Sequence, residues 1–136
     1  MFISQHMTPR LPIALGSVLY GPRLNAEETA RQLSLFADLG GQLIDTARVY
    51  GAWAEKGYEG YTEQLVGQWL CRDANRHRVL VVTKGAHPIW QVWQPRVTPR
   101  VIREDLEHSL ENLRTDHVDL YLLHRDDATQ PILPML

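Results

Sequence analysis

Four side chains in this sequence have the types and placement to do chemistry together: the carboxylate of Asp45, the phenol of Tyr50, the amine of Lys84 and the imidazole of His124. Asp45 closes an apolar run in "LIDTARVYG", residues 43–51, where a purely structural strand would more often turn at Gly, Asn or Ser. A phenol is a weak acid, with a pKa of about 10. A cation beside it stabilises the phenolate and lowers that value. Lys84 is the candidate cation, Asp45 the counter-ion that keeps it protonated and in place, and His124 a donor that orients a substrate oxygen. Such a set suits proton donation to a carbonyl oxygen as it gains negative charge. Each residue also has an ordinary reading: a turn carboxylate, a solvated strand-end lysine, a packed loop aromatic, a satisfied rim histidine. Their joint placement favours the chemical one.

The elements that would carry them alternate along the chain. Apolar runs at "IALGSVLYG" (13–21), "QLIDTA", "RVLVVTKG" (78–85) and "HVDLYLLHRDD" read as strands, the first and third as buried ones. Between them lie helical patterns. Asn25 and Glu28 have capping-box spacing ahead of a helix that Gly40-Gly41 ends. Thr62 is the expected cap of the second helix, with Leu65, Trp69 and Leu70 on one face. Thr98 caps the third, Pro99 occupies its first turn, and Ile102, Leu106, Ser109, Leu110 and Leu113 line one side. Residues 131–136 read as the first turn of a fourth. Alternation of this kind predicts a parallel sheet, either an open flavodoxin-like sheet or part of a (β/α)₈ barrel. In such folds the C-terminal strand ends carry the chemistry. Ser17 and Val18 follow the first strand, Asp45 and Tyr50 the second, Lys84 the third and His124 the fourth.

Bulk properties narrow the class. The chain has 136 residues, 44 % hydrophobic and 22 % charged, which suits one globular domain. A formal net charge of −2 argues against nucleic acid or an anionic membrane as the main partner. A single cysteine, Cys71, excludes an internal disulfide framework and a thiolate metal cluster. No apolar stretch is long enough for a membrane span, and "MFISQHMTPR" lacks a signal-peptide pattern. A cytoplasmic location is expected. No His-x-His or carboxylate–His cluster sits at the strand ends, which disfavours a metal-dependent barrel hydrolase.

The motifs resemble those of the aldo-keto reductases. "DTARVYG" matches the family's Asp, four residues, Tyr-Gly pattern. "VVTKG" matches its lysine-bearing third strand, and "SLENLRTDHVDLYLLHRDD" its helix and fourth strand. Thr62-Glu63 matches the pair that usually opens the second helix. This resemblance implies a (β/α)₈ TIM barrel that reduces an aldehyde or ketone with NADPH. Tyr50 would be the general acid, Lys84 and Asp45 its tuners and His124 the orienting donor. Ser17, Val18 and Asp45 would border the nicotinamide ribose; no metal is implied.

A full barrel typically needs about 250 residues, so the chain is expected to form a truncated half barrel: a single partial domain over residues 1–136 with about four β/α units. The family's remaining cofactor loops follow strands five to eight. The isolated chain is therefore expected to have little activity unless a partner or the missing half completes it. The alternative is a non-catalytic remnant or a binding or regulatory half barrel. Open edges on the first and fourth strands are expected to invite self-association, including a symmetric pairing of two half barrels. Trp53, Trp90 and Trp93 fall in loops on the catalytic side, as pocket walls or as loop packing. His6, His77, His87, His108 and His117 show no ligand spacing.

Overall fold

Strand and helix alternate as the apolar patterning predicts. The structure, a computed structural model, describes residues 13–89 and 92–129. The strands are β1 (Ala14–Gly16), β2 (Leu43–Asp45), β3 (Leu80–Gly85) and β4 (Leu120–Leu123), and the helices α1 (Ala26–Asp38), α2 (Tyr61–Leu70) and α3 (Pro99–Leu113). A 3₁₀ turn, Asn75–Arg78, leads into β3. All four strands pair in parallel, in the order β1-β2-β3-β4. The expected turn at 131–136 and residue Trp90 lie outside the described residues. Among the described residues, no helix is long and apolar enough to cross a membrane.

Two helix starts form as read. The Asn25 side chain accepts from the backbone of Glu27 and Glu28, and Glu28 reaches back to the Asn25 N–H at 2.9 Å, closing the capping box of α1. Thr98 Oγ1 accepts from Val101 N at 3.2 Å, with Pro99 in the first turn of α3. The second helix differs. Thr62 does not cap it: its hydroxyl donates to the Tyr20 carbonyl at 2.7 Å, fully buried, tying α2 to the end of β1. Gly60 takes the N-cap position instead, at φ 87°, where a Cβ would run into the Asn112 amide.

The core lies between the sheet and the helices. Ile44 and Val81 from the strands meet Leu33 of α1, Leu65, Val66, Trp69 and Leu70 of α2, and Leu113 of α3. Gly67 permits a close α2–α3 approach, since a Cβ there would overlap the Asn112 and Leu113 backbone. The buried stripe of α3 is Val101, Asp105, Ser109 and Leu113, one position round from the expected face. Ile102, Leu106 and Leu110 are half-buried at its border.

The first strand takes only three residues of the apolar run 13–21 and ends at Gly16, so that Ser17 and Val18 follow it as expected. Ser17 donates both its N–H and its hydroxyl to the Asp45 carbonyl, each at 2.9 Å, and Tyr20 N then bonds to Ser17 O. The chain turns there, and Gly21 at φ 90° carries it back toward α1. Nor is this strand buried: Ala14 and Gly16 are exposed. On β4, Leu120, Leu122 and Leu123 are also exposed. In central β3, by contrast, Val81, Val82 and Thr83 are all buried.

Candidate active site

The C-terminal ends of β2 and β3 lie side by side. The register sets Asp45 opposite Val82, so that Lys84, one pleat period further along β3, rises on the same face as Asp45. Lys84 Nζ lies 2.7 Å from Asp45 Oδ1 and 2.8 Å from Oδ2. It also donates to the Thr46 carbonyl at 2.9 Å and reaches the Tyr50 hydroxyl at 3.4 Å. The ammonium has three protons. A carboxylate, a carbonyl and the phenol oxygen take one each, which leaves the phenol's own proton to be donated elsewhere. The pair is partly solvated, Lys84 being 17 % and Asp45 31 % exposed.

Tyr50 returns to this point because its loop is strapped to the strands. Thr46 N bonds to Val82 O and Arg48 N to Lys84 O, both at 2.9 Å, extending the β2–β3 ladder past Asp45. Gly60 N bonds to Arg48 O at 2.6 Å, and Thr62 N to Tyr50 O at 3.3 Å. Ala47 and Val49 are buried between these bonds. The loop is thus held at both ends and in its middle, and the phenol sits over the Lys84 ammonium, 5.0 Å from Nζ to the ring centroid.

His124 completes the set from β4. Its backbone N–H bonds to Gly85 O at 2.8 Å, continuing the β3–β4 register, and its ring stands edge-on to Tyr50 with centroids 5.9 Å apart. Burial pushes its pKa down from 6.5 to about 4. The Coulombic effects of His87, Lys84 and Arg125 act in the same direction, and that of Asp45 opposes them. The imidazole is therefore neutral near pH 7. Its Nδ1 is buried without a hydrogen-bond partner, so the half-exposed ring meets solvent through its other atoms, Nε2 among them.

The structure thus brings Asp45, Tyr50, Lys84 and His124 together from three successive β/α units. Ser17 is completely buried and holds the Asp45 carbonyl, while the neighbouring Val18 is 40 % exposed. Trp53 packs edge-on against Tyr50 at 6.0 Å, and Trp93 lies 5.8 Å from the ring of His87, with the Arg125 guanidinium 5.4 Å from the Trp93 centroid. His77, His108 and His117 are exposed. His87 was passed over for lack of ligand spacing, yet it is buried and packs edge-on against His124 with centroids 4.7 Å apart. Only its place three residues after Lys84 hinted at this. Two further buried carboxylates were missed. Glu63 accepts from Thr83 Oγ1 at 2.6 Å, and Asp105 accepts from Ala86 N at 2.8 Å.

Comparison with known proteins gives the family and the fold. The model of the aldo/keto reductase family matches residues 12–136. Oxidoreductase YrpG of Bacillus subtilis is 32 % identical over 128 residues, covering 88 % of this chain and 37 % of its own length. Human aflatoxin B1 aldehyde reductase member 2 is 30 % identical over 132 residues, covering 96 % of this chain and 33 % of its own length. The holo form of an aldo-keto reductase from Bacillus halodurans superposes with a TM-score of 0.73 at 26 % identity, over 90 % of this chain and 39 % of that one. The chain therefore spans little more than a third of the lengths of these relatives, and its four parallel strands follow the TIM-barrel pattern.

Proposed function

Because the chain belongs to the aldo/keto reductase family, we propose that it carries the proton-donating corner of a carbonyl reductase, in which an aldehyde or ketone is reduced to an alcohol with NADPH and Tyr50 is the general acid. The observation that carries this reading is the Lys84 ammonium, shared among Asp45, the Thr46 carbonyl and the Tyr50 hydroxyl.

The roles follow from that arrangement. A carbonyl oxygen placed between the Tyr50 hydroxyl and His124 gains negative charge as the carbon is reduced. Tyr50 gives it a proton. The Lys84 ammonium stabilises the phenolate left behind, because a positive charge beside the oxygen favours its ionised form. Asp45 fixes the ammonium by a charge-assisted, two-oxygen contact. His124, neutral near pH 7, donates from Nε2 and sets the angle of the carbonyl. Trp53 and Trp93 wall the approach and favour an apolar or aromatic substrate body.

The residues at the ends of β1 and β2 fit the reacting end of a nicotinamide cofactor. Asp45 is partly exposed and offers acceptors to ribose hydroxyls, and Val18 offers an aliphatic surface to the ring. Ser17 acts behind them, holding the Asp45 backbone. When bound, the cofactor supplies the hydride. A cytoplasmic location belongs to the same reading, supported by the free, exposed thiol of Cys71.

The test is a titration of the chain with NADPH, followed by tryptophan fluorescence, and then carbonyl-dependent NADPH oxidation by wild type and Tyr50→Phe. Saturable binding supports this reading; turnover by the isolated chain is expected to be slight, and what there is should be lost in the variant. No binding at millimolar cofactor, or equal turnover in both proteins, would favour a non-catalytic binding or regulatory role.

A further inference from the structure

The turn after β3 is built with more care than a connection requires. Ala86 has φ 55°, in the left-handed region, and is completely buried. A residue with a Cβ is strained there. The conformation is held from α3: Ala86 N donates to Asp105 Oδ2 at 2.8 Å. Arg96 ties the bracket together, donating to the His87 carbonyl at 3.3 Å and reaching Asp105 Oδ1 at 3.5 Å. Asp105 is 4 % exposed, so a carboxylate has been placed in the α3 packing face where an apolar residue would bury more cheaply.

What this bracket positions is the His87 side chain. Its Nδ1 lies 2.8 Å from the Pro88 carbonyl. A carbonyl only accepts, so Nδ1 carries the proton and the ring is pinned in rotation. The ring is 6 % exposed and meets His124 at an interplanar angle of 85°. Tyr50 also stands edge-on to His124, again at 85°.

We propose that His87 is a positioning residue for His124, fixing the orientation and the charge of that imidazole for carbonyl reduction. This rests on the reading of His124 as the group that orients the substrate oxygen. His87 supplies a packed wall that stops the His124 ring from rotating, and it takes up the space water would need to solvate an imidazolium. The groups facing His124 are His87, Lys84 from β3, Asp45 from β2, the Tyr50 phenol from the loop after β2, and Arg125 beside it in sequence. Their balance is positive, which agrees with the depressed pKa of His124.

The experiment is a titration of the His124 ring signals by NMR in wild type, His87→Phe and His87→Gln, alongside NADPH-dependent turnover. Phe keeps a ring against His124 and removes the neighbouring imidazole, whereas Gln also opens the wall. The His124 midpoint is expected to rise from about 4 toward 6.5 in both, further in Gln. Turnover in Gln is expected to fall about tenfold in kcat with KM nearly unchanged, as for a misoriented catalytic group. If His87→Phe does not fold, His87→Gln alone decides, and Asp105→Asn, which keeps the His87 ring but loosens the Arg96 bracket, should move the midpoint the same way. A His124 titration identical to wild type in the folded His87 variants overturns the proposal, even if turnover falls. Wild type that does not bind NADPH would instead overturn the reductase reading, and the NMR comparison would still decide the role of His87.

Discussion

Thr83 and Lys84 are neighbours in β3, yet they serve two clusters of opposite character. On one face, Lys84 meets Asp45 at a rim open to solvent, with the Tyr50 hydroxyl at 3.4 Å. On the other, Thr83 donates at 2.6 Å to Glu63, which is completely buried between the sheet, α2 and α3. Asn112 reaches the second Glu63 oxygen at 3.4 Å, and burial raises the pKa of Glu63 against the lowering effects of Thr83, Ser109, Asn112 and Arg48. Both clusters centre on a carboxylate. The rim carboxylate faces a full positive charge and stays wet, so its surroundings can change as a ligand arrives. The buried one accepts from neutral donors, with the Arg48 charge also acting on it, and holds two helices on one strand. Pleating puts the two clusters on opposite faces of one strand, one residue apart.

That contrast gives its own tests. The largest effect is expected for Tyr50→Phe: carbonyl reduction should fall by about 10²–10⁴-fold, the range for loss of a general acid, while the urea midpoint stays near wild type. Glu63→Ala should do the reverse. It strands the Thr83 and Asn112 donors and leaves a cavity, and unfolding titrations should show a loss of about 2–4 kcal/mol. A Glu63→Ala protein as stable as wild type would end the division of labour drawn here.

The two faces should also respond to pH with opposite sign. The folded state keeps His124 neutral down to about 4, whereas the unfolded chain protonates it near 6.5, so its contribution to stability falls as pH is lowered through that window. Glu63 is raised, so the folded state holds its proton above the ordinary value of 4.5, and its contribution falls as pH rises from there toward the raised value. Urea midpoints measured across pH should therefore lose one slope in His124→Phe and the opposite slope in Glu63→Gln. The smallest effect belongs to neither face. Glu104→Ala removes the exposed Arg100–Glu104 pair, at 2.8 Å, and should change stability by less than about 0.5 kcal/mol in the same assay.

Features whose physics is local were legible in the sequence. The Asn25–Glu28 box and the Thr98–Pro99 start depend on residues three or fewer positions apart, and both form. The proximity of Asp45, Tyr50, Lys84 and His124 was legible because strand ends in a parallel sheet share one rim, so strand order alone brings them close. Thr62 misled because a hydroxyl caps its own helix or donates across the core with equal ease, and only the Tyr20 carbonyl decides. The α3 face was read one position off because Asp105 is a carboxylate buried for its bond to the Ala86 N–H, and an apolar count discards it. His87 was invisible for a similar reason: its partner is 37 positions away, and the turn that aims it depends on the φ of Ala86, which composition does not encode.

The order in which these groups lie along the chain has a consequence in time. Asp45 and the lysine that neutralises it are 39 residues apart. At typical rates of synthesis the second would be added about 2–8 s after the first, longer than a hairpin or helix needs to form. During that interval the carboxylate is an uncompensated charge at the end of a three-residue strand. Its cation comes only with β3, and the imidazole later still with β4. The cluster is thus assembled on a schedule written in the gene: carboxylate first, phenol next, ammonium third and imidazole last.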